Sequence, residues 1–410
     1  MTTTAITRPA ARPGLAERLL RGRLSALEHG LLVLDDGRRE EAFGARTARC
    51  DLQARVRVHD PRFFGEIAYG GSVGAGEAYM LGYWSADDLT AAMRILLQNR
   101  AVLDGMEEGL AALSAPLRRA LHWAARNTRG GSRRNIAAHY DLGNEFFALF
   151  LDPTMMYSSA VFERPGMTLQ EASAAKLERI CRRLGLKPGD RVLEIGAGWG
   201  GFALHAAHRH GCHVTTTTIS DEQYHLARER VDAAGLGHRI RLLREDYRDL
   251  EGRYDKLVSI EMIEAVGHEY LETFFAKCGA LLKDDGLMLL QAITIADQRY
   301  DSARKSVDFI RKHIFPGSCI PSVSRLALAA ARASDLRLSH LEDIGPHYAT
   351  TLRLWRENLA HAWAELRALG YPAEFARKWE FYFSYCEAGF AERALGDVQA
   401  LFVKPLARSC

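Results

Sequence analysis

Arg191-Val-Leu-Glu-Ile-Gly-Ala-Gly-Trp-Gly-Gly-Phe202 combines an apolar run carrying one acid, a glycine turn and the start of a helix. Val192, Leu193 and Ile195 suit a buried parallel strand, and Gly196, Gly198 and Gly200 allow a tight turn with close backbone approach to a ligand. The helix beyond the turn opens with free N–H groups. Gly196, Gly198 and Gly201 formally satisfy G-x-G-x-x-G, the dinucleotide pattern. Glu194 argues against that use, because a pyrophosphate would meet negative charge.

On either side of this device the chain alternates as a doubly wound sheet does. His213 to Ile219 reads as a second strand, Asp221 to Ala234 as a helix, and Ile240 to Leu243 as a third strand. Tyr254 to Ile260 reads as a fourth, and Leu281 to Gln291 as a helix end, turn and fifth strand. Ligands in such sheets sit at the carboxyl ends of the strands. Those ends carry Glu194 with the glycines, Thr218-Ile219 with Gln223, Asp246-Tyr247, Glu261 to Glu264, and Gln291. By analogy with dinucleotide sites, Thr218 and Gln223 stand where a ribose is held and Asp246 where an adenine is held. Ser220 is also placed to cap the following helix. Glu261, Glu264 and His268 raise a metal alternative, which is set aside because the spacing supplies no supporting partners; no metal is expected.

The 410 residues suffice for two or three cores, and the net charge of +3 is too small to attract nucleic acid as a whole. Seven cysteines (Cys50, Cys181, Cys212, Cys278, Cys319, Cys386 and Cys410) show no C-x-x-C pair, the usage of a reducing cytosol. Met1 to Gly14 is read as a flexible terminus, since no apolar segment of a secretory signal follows it. No apolar run is long enough to span a bilayer, so contact with a membrane would be peripheral.

Residues 15–117 read as a smaller mixed α/β domain. A helix runs from Leu15 toward His29, strands follow at Leu31–Arg38 and Leu52–Val58, and a short helix starts at Asp60-Pro61. Gly70, Gly71, Gly74 and Gly76 are expected to break the chain before a helix at Asp87 to Leu97. Residues 118–134 form a basic linker carrying Arg118, Arg119, Arg126, Arg129, Arg133 and Arg134 without an acid, suited to anionic headgroups. Residues 135–410 are the larger domain. Within it an insertion at about 296–380 mixes Arg304, Lys305, Arg311, Lys312 and His313 with Phe309, Ile310 and Phe315, as a lid over an acyl chain would. Val323 to Leu369 and Glu374 to Leu401 read as further helices covering the pocket.

The motifs His139-Tyr-Asp-Leu-Gly-Asn144, Met156-Tyr-Ser-Ser-Ala160, Val192 to Gly201, Thr218-Ile-Ser220, Ser259 to Gly267, Ile314-Phe-Pro-Gly317 and Trp379 to Phe390 occur in that order. Together they make the chain resemble the cyclopropane-fatty-acyl-phospholipid synthases, S-adenosylmethionine-dependent methyltransferases. The resemblance implies a Rossmann-like domain with a seven-stranded, mostly parallel sheet beside the smaller α/β domain. It implies cofactor contacts at Tyr157, Ser158, Glu194, Gly196, Gly198, Thr218, Ile219, Gln223, Asp246 and Tyr247. The cationic amino-acid end of S-adenosylmethionine also suits Glu194 better than a dinucleotide does.

The implied reaction adds a methylene bridge across the double bond of an unsaturated acyl chain in membrane phospholipid. An alkene is a poor nucleophile, so orientation in a dry pocket supplies rate, and a base must then take a proton from the transferred methyl. In this resemblance the base is bound bicarbonate, held here by Ser159, Glu264, Gln291, the backbone of Ile293, and Tyr348. Ser159 stands where the family commonly has Cys, Gln291 where many members have His, and Ala265 replaces a frequent His; Ser and Gln still hydrogen-bond an anion. A weakened base would divert the cation to a methylene or methyl-branched chain. N-methylation of a small amine is the other alternative, and a lipid-binding protein with a degenerate site is the non-catalytic one. The expected partners are unsaturated phospholipid and an anionic membrane surface, with a homodimer left open and nucleic acid excluded. The expected location is the cytoplasm, peripherally on the inner face of the membrane.

Overall fold

The computed structural model describes residues 14–108, 131 and 142–408. The basic linker, Gly131 apart, and the His139-Tyr-Asp141 part of the first motif lie outside the described residues, as do Met1 to Pro13. Two compact units are formed, one from Met1–Pro116 with Ala373–Phe381, the other from Leu117–Pro372 with Tyr382–Cys410.

The smaller unit holds a four-stranded sheet of β1 (Gly30–Asp35), β2 (Glu40–Ala45), β3 (Gln53–Val58) and β4 (Trp84–Ala86), in the order β2-β1-β3-β4. β2 escapes a reading by alternation because Phe43 is its one buried residue. The cluster of glycines does not interrupt the chain as expected. A helical stretch runs from Arg62 to Met80, kinked only at Gly71 (φ 60°, ψ −140°). The kink brings Gly74 so close to the Glu66 carbonyl that a Cβ there would lie 1.9 Å from its oxygen. Glycine at 74 therefore serves close packing after the bend, not termination.

The larger unit is built on β5 (Arg191–Ile195), β6 (His213–Thr217), β7 (Ile240–Leu243), β8 (Tyr254–Ile260), β9 (Leu282–Ile295), β10 (Arg337–Asp343) and β11 (Leu395–Val403). Their order is β10-β11-β9-β8-β5-β6-β7, with β5 to β9 parallel to one another and β11 antiparallel to both of its neighbours, β9 and β10. Two strands lie where helix or cover was expected. β11 falls inside Glu374 to Leu401, where the helix stops at Ala391, and β10 falls inside the supposed lid at 296–380. β11 hides from a pattern reading because Asp397 and Gln399 interrupt its apolar run while both are buried.

Alternation along β5 divides the core. Leu193 and Ile195 join Phe274, Phe275, Leu326 and Phe402 on one face, and Val192 joins Ile180, Phe202, Val214 and Leu289 on the other. Chain order reverses around β5, which lies between β8 and β6, so the crevice at its carboxyl end is the place for a ligand. The helix Leu169–Leu184 covers the second face and is set by a capping box of Thr168 and Glu171 and by a left-handed C-cap at Gly185. Among the described residues no helix is long and apolar enough to cross a membrane.

Candidate active site

The glycine turn after β5 has the left-handed backbone its residues permit. Gly196, Gly198 and Gly200 have φ of 101°, 50° and 82°. Its outer side is clamped by Arg230, which donates to the Trp199 carbonyl at 2.6 Å and to the Pro153 carbonyl at 2.9 Å. The Trp199 indole donates to Asn144 Oδ1 at 2.6 Å, tying the turn to the last residue of the first motif. A Cβ at Gly201 would lie 2.6 Å from Met156 Sδ and 2.8 Å from the Thr154 carbonyl oxygen. Gly201→Ala is accordingly expected to cost about 1–3 kcal/mol in urea unfolding. An unchanged midpoint would show that the turn yields without strain.

Beside the turn, at the carboxyl ends of β8 and β9, polar groups converge on one carboxylate. Glu261 Oε1 accepts from the Ser159 N–H at 2.8 Å and from Gln291 Nε2 at 2.7 Å, while Oε2 accepts the Tyr348 hydroxyl at 2.7 Å. Glu261 adopts φ 48°, a left-handed conformation uncommon for a residue with a Cβ. Gln291 Nε2 also donates to Asp397 Oδ2 at 3.1 Å, and Gln399 Nε2 donates to Gln291 Oε1 at 3.1 Å. The amide orientation of Gln291 is thereby determined, with its nitrogen toward the carboxylates.

One buried cation faces this group. Lys176, on the helix Leu169–Leu184, is fully buried and donates to Ser158 Oγ at 2.6 Å. Burial pushes its ammonium down to about 8, against the attraction of Glu261, Asp397, Asp152 and Glu194. Burial raises Glu261, while Lys176 and its three donors act in the opposite direction. Burial, with Glu261 and Glu264 nearby, lifts Asp397 well above the usual carboxylate range. Glu264 accepts from the Ile293 N–H at 2.6 Å through Oε1, whereas its buried Oε2 has no hydrogen-bond partner. Burial and the charge of Glu261 push it up to about 8.

An aromatic cluster borders these residues. Tyr157 packs against Phe147, Phe150 and Trp355 with ring centroids 5.4, 5.9 and 5.2 Å away, and its hydroxyl lies 3.1 Å from that of Tyr382. Tyr348 stacks on Phe390 at 4.4 Å. Such rings exclude water and present negative faces to positive charge.

The residues expected to form one site fall into two groups. Ser159, Gln291 and Tyr348 meet at Glu261, and Ile293 meets Glu264. Those expected to hold cofactor are spread along the rim and are engaged locally. Thr218 Oγ1 donates to Gln223 Oε1 at 2.9 Å, Ile219 is half-buried beside them, and Ser220 caps the following helix as its position suggests. Asp246 holds Arg248 through both carboxylate oxygens, and Tyr247 packs edge-on against Phe274. Ser158 accepts from Lys176. Glu194 is buried within the sheet, accepts from Thr216 Oγ1 at 2.6 Å and is raised to about 8 by burial. Among the described residues Glu261, Glu264 and His268 do not come within reach of one ion, and His268 Nδ1 is 2.5 Å from the Tyr300 hydroxyl. A groove lined by Arg191, His213, Arg239 and Tyr254 lies at the opposite rim and includes none of these groups.

Sequence reasoning overlooked Lys176, Asp397 and Gln399 and assigned Glu261 no role in the chemistry. One signal was available for Lys176: it recurs with Ala172, Ser173, Leu177 and Ile180 on the buried face of an otherwise amphipathic helix.

The two small molecules implied by the resemblance fare differently. S-adenosylmethionine fits: Gly196 and Gly198 are half-buried, open space stands where a Cβ of Gly198 would be, and polar rim residues follow β6 and β7. Bicarbonate does not fit. Of the groups expected to hold it, Gln291 Nε2 and the Tyr348 hydroxyl donate to Glu261, the Ser159 hydroxyl donates to the Ala160 carbonyl while its N–H serves Glu261, and the Ile293 N–H is engaged by Glu264. A second anion there would also face Asp397 and Glu264 across a poorly hydrated space, at a Coulombic cost.

Comparison with known proteins agrees with this geometry. The profile of the family "mycolic acid cyclopropane synthetase" matches residues 128–400. A tuberculostearic acid methyltransferase of Mycobacterium tuberculosis is 39% identical, covering 96% of this chain and 92% of its own. A cyclopropane-fatty-acyl-phospholipid synthase of Escherichia coli is 36% identical, over 85% of this chain and 87% of its own. The crystal structure of the mycolic acid cyclopropane synthase CmaA1, complexed with SAH and CTAB, superposes with a TM-score of 0.62 at 32% identity, covering 66% of this chain and 98% of that one.

Proposed function

The chain belongs to the mycolic acid cyclopropane synthetase family and is an S-adenosylmethionine-dependent methyltransferase, and from that premise we propose that it methylates the double bond of an unsaturated acyl chain in membrane phospholipid. The observation that carries this reading is the adjacency of an aromatic wall to a half-buried carboxylate held by three donors beside the glycine turn. When bound, S-adenosylmethionine supplies an electrophilic methyl group. Gly196, Gly198 and the rim residues Thr218, Ile219, Gln223 and Asp246 are the groups proposed to seat it.

The remaining work falls to the chain's own side chains. Tyr157, Trp355 and Phe150 keep water from the reacting carbons and offer π faces to the carbocation that methyl transfer leaves on the acyl chain. The cation must then lose a proton. Loss from the transferred methyl with ring closure gives a cyclopropane. Loss after a hydride shift gives a methylene chain, the precursor of a methyl branch, and the relative named as a tuberculostearic acid methyltransferase supports that as the second reading. N-methylation of a small amine is less well supported, because it needs neither a carbocation-tolerant wall nor an embedded base.

The proposed location is the cytoplasmic face of a membrane, held peripherally by basic segments and by the exchange of acyl chains with the bilayer. Its support is the arginine-rich stretch at 118–134 and the mixed basic and aromatic segment at 304–315. Incubation of the purified protein with S-adenosylmethionine and mono-unsaturated phospholipid vesicles tests the reaction. The expected result is an acyl mass gain of one methylene unit. Loss of the olefinic NMR signal marks the ring, a retained olefinic signal marks the methylene chain, and no mass gain rejects both.

A further inference from the structure

We propose that Glu261 is itself the base of this enzyme, its side-chain carboxylate standing on the Ser159 N–H and on two of the donors, Gln291 Nε2 and the Tyr348 hydroxyl, that the family resemblance reserves for a bound bicarbonate. The inference rests on the alkene-methylation reading above and adds a catalytic group to it. Three independent features converge on this residue. The Ser159 N–H, Gln291 Nε2 and Tyr348 hydroxyl all point at its two oxygens within 2.8 Å. They come from three separate segments of the chain, so the cradle is a tertiary construction and not a local turn. The backbone at 261 is held in the left-handed region (φ 48°), where glycine would be at ease and glutamate is not. Such strain persists where the surroundings over-determine it, and here what it achieves is delivery of a carboxylate into the cradle.

Burial raises the Glu261 carboxyl too, against the attraction of Lys176 and its three donors, so it holds a proton more firmly than an exposed carboxylate does. Lys176 is the buried cation facing Glu261, and the adjacent Asp397 and Glu264 are pushed toward their neutral forms by burial and by Glu261. Gln291 at this position, where a titrating imidazole would compete for the proton, donates two N–H bonds to carboxylates and holds no proton of its own to exchange. The step is balanced without another reactant. A C–H bond of the transferred methyl breaks, its proton bonds to a Glu261 oxygen, and its electron pair forms the C–C bond to the cationic carbon. In the branched outcome, a hydride first moves from the methyl-bearing carbon to the cationic one, and the same electron pair then forms an exocyclic double bond. The proton passes to water when product leaves.

Turnover of mono-unsaturated phospholipid vesicles, measured in carbonate-depleted buffer with and without added bicarbonate, tests the assignment in wild type, Glu261→Gln and Glu261→Gly. Wild type is expected to turn over equally in both buffers. Glu261→Gln, which keeps the shape and removes the proton acceptor, is expected to lose about 100-fold or more in kcat while binding S-adenosylhomocysteine with unchanged affinity by calorimetry. Glu261→Gly, which relieves the backbone and frees the donors, is expected to be inactive in depleted buffer and to regain at least about tenfold on addition of bicarbonate. Wild-type turnover that collapses on depletion, or a Glu261→Gln enzyme that makes product as fast as wild type, overturns the proposal alone. No product from wild type in either buffer overturns the reading of the reaction and this proposal with it.

Discussion

Replacing Lys176 with methionine is expected to lower the unfolding free energy by about 3–5 kcal/mol, the range for removing one partner of a buried charge cluster. The ammonium is fully buried, donates to Ser158 and is held first by the attraction of Glu261, with smaller attractions from Asp397, Asp152 and Glu194. Methionine fills most of the volume, so lost packing is not the main effect. What remains is negative charge without compensation in a medium of low polarity. The carboxylates can respond by taking up protons, so the deficit should be larger at pH 8 than at pH 6. Turnover should suffer for the same reason, because Glu261 without Lys176 ionises at higher pH and the acidic limb of the pH–rate profile moves upward. Urea unfolding at the two pH values, with a pH–rate profile on vesicles, checks both parts. A variant within about 1 kcal/mol of wild type at pH 8 would show that the cluster carries no net charge to balance.

The second large effect is a stability that falls as pH rises from about 5 to 8 and then recovers. Glu194 and Glu264 are raised from an ordinary value of 4.5 to about 8, so across that window the folded chain holds protons that the unfolded chain has released. Their contribution is fully present below the unfolded value and is lost as pH climbs through the folded one. Lys176 acts in the opposite sense above this window. Its folded value, about 8, lies below the ordinary 10.5, so between these the unfolded chain binds the extra proton and stability rises with pH. Each pKa unit corresponds to about 1.4 kcal/mol, which makes the dip measurable by denaturant unfolding. Glu194→Gln isolates one component: its amide can still meet Thr216 and does not titrate, so the variant should gain stability relative to wild type from pH 5.5 to pH 8. A difference independent of pH would mean that Glu194 is already charged throughout.

These expectations depend on contacts of very different visibility in the chain. The strand, glycine turn and helix around Arg191–Phe202 were legible because each is local: an apolar run, residues free to take positive φ, and a helix start within a dozen positions. The strands β6 to β8 and the Ser220 cap were legible for the same reason, since short apolar or β-branched runs and a capping hydroxyl act over a few residues. β10 and β11 were not. β10 alternates as a half-exposed edge, and β11 carries Asp397 and Gln399 where a buried strand should be apolar. Those residues make sense only once β11 lies beside β9 and Gln399 meets Gln291.

The active centre divides in the same way. Ser159, Gln291 and Tyr348 could be named from motifs, since their order along the chain carries the resemblance. What they hold could not. Glu261 looked like one member of an acidic strand end, and nothing in its neighbours along the chain announces a left-handed backbone or a side chain aimed at residues about 100 positions earlier, 30 later and 87 later. The amino-acid order by itself determined a methyltransferase sheet with its glycine turn, because short-range sterics and periodicity suffice for that. Only the folded chain decided which carboxylate the donors surround and which lysine balances it, because burial and Coulomb energy depend on distance in space and not along the chain.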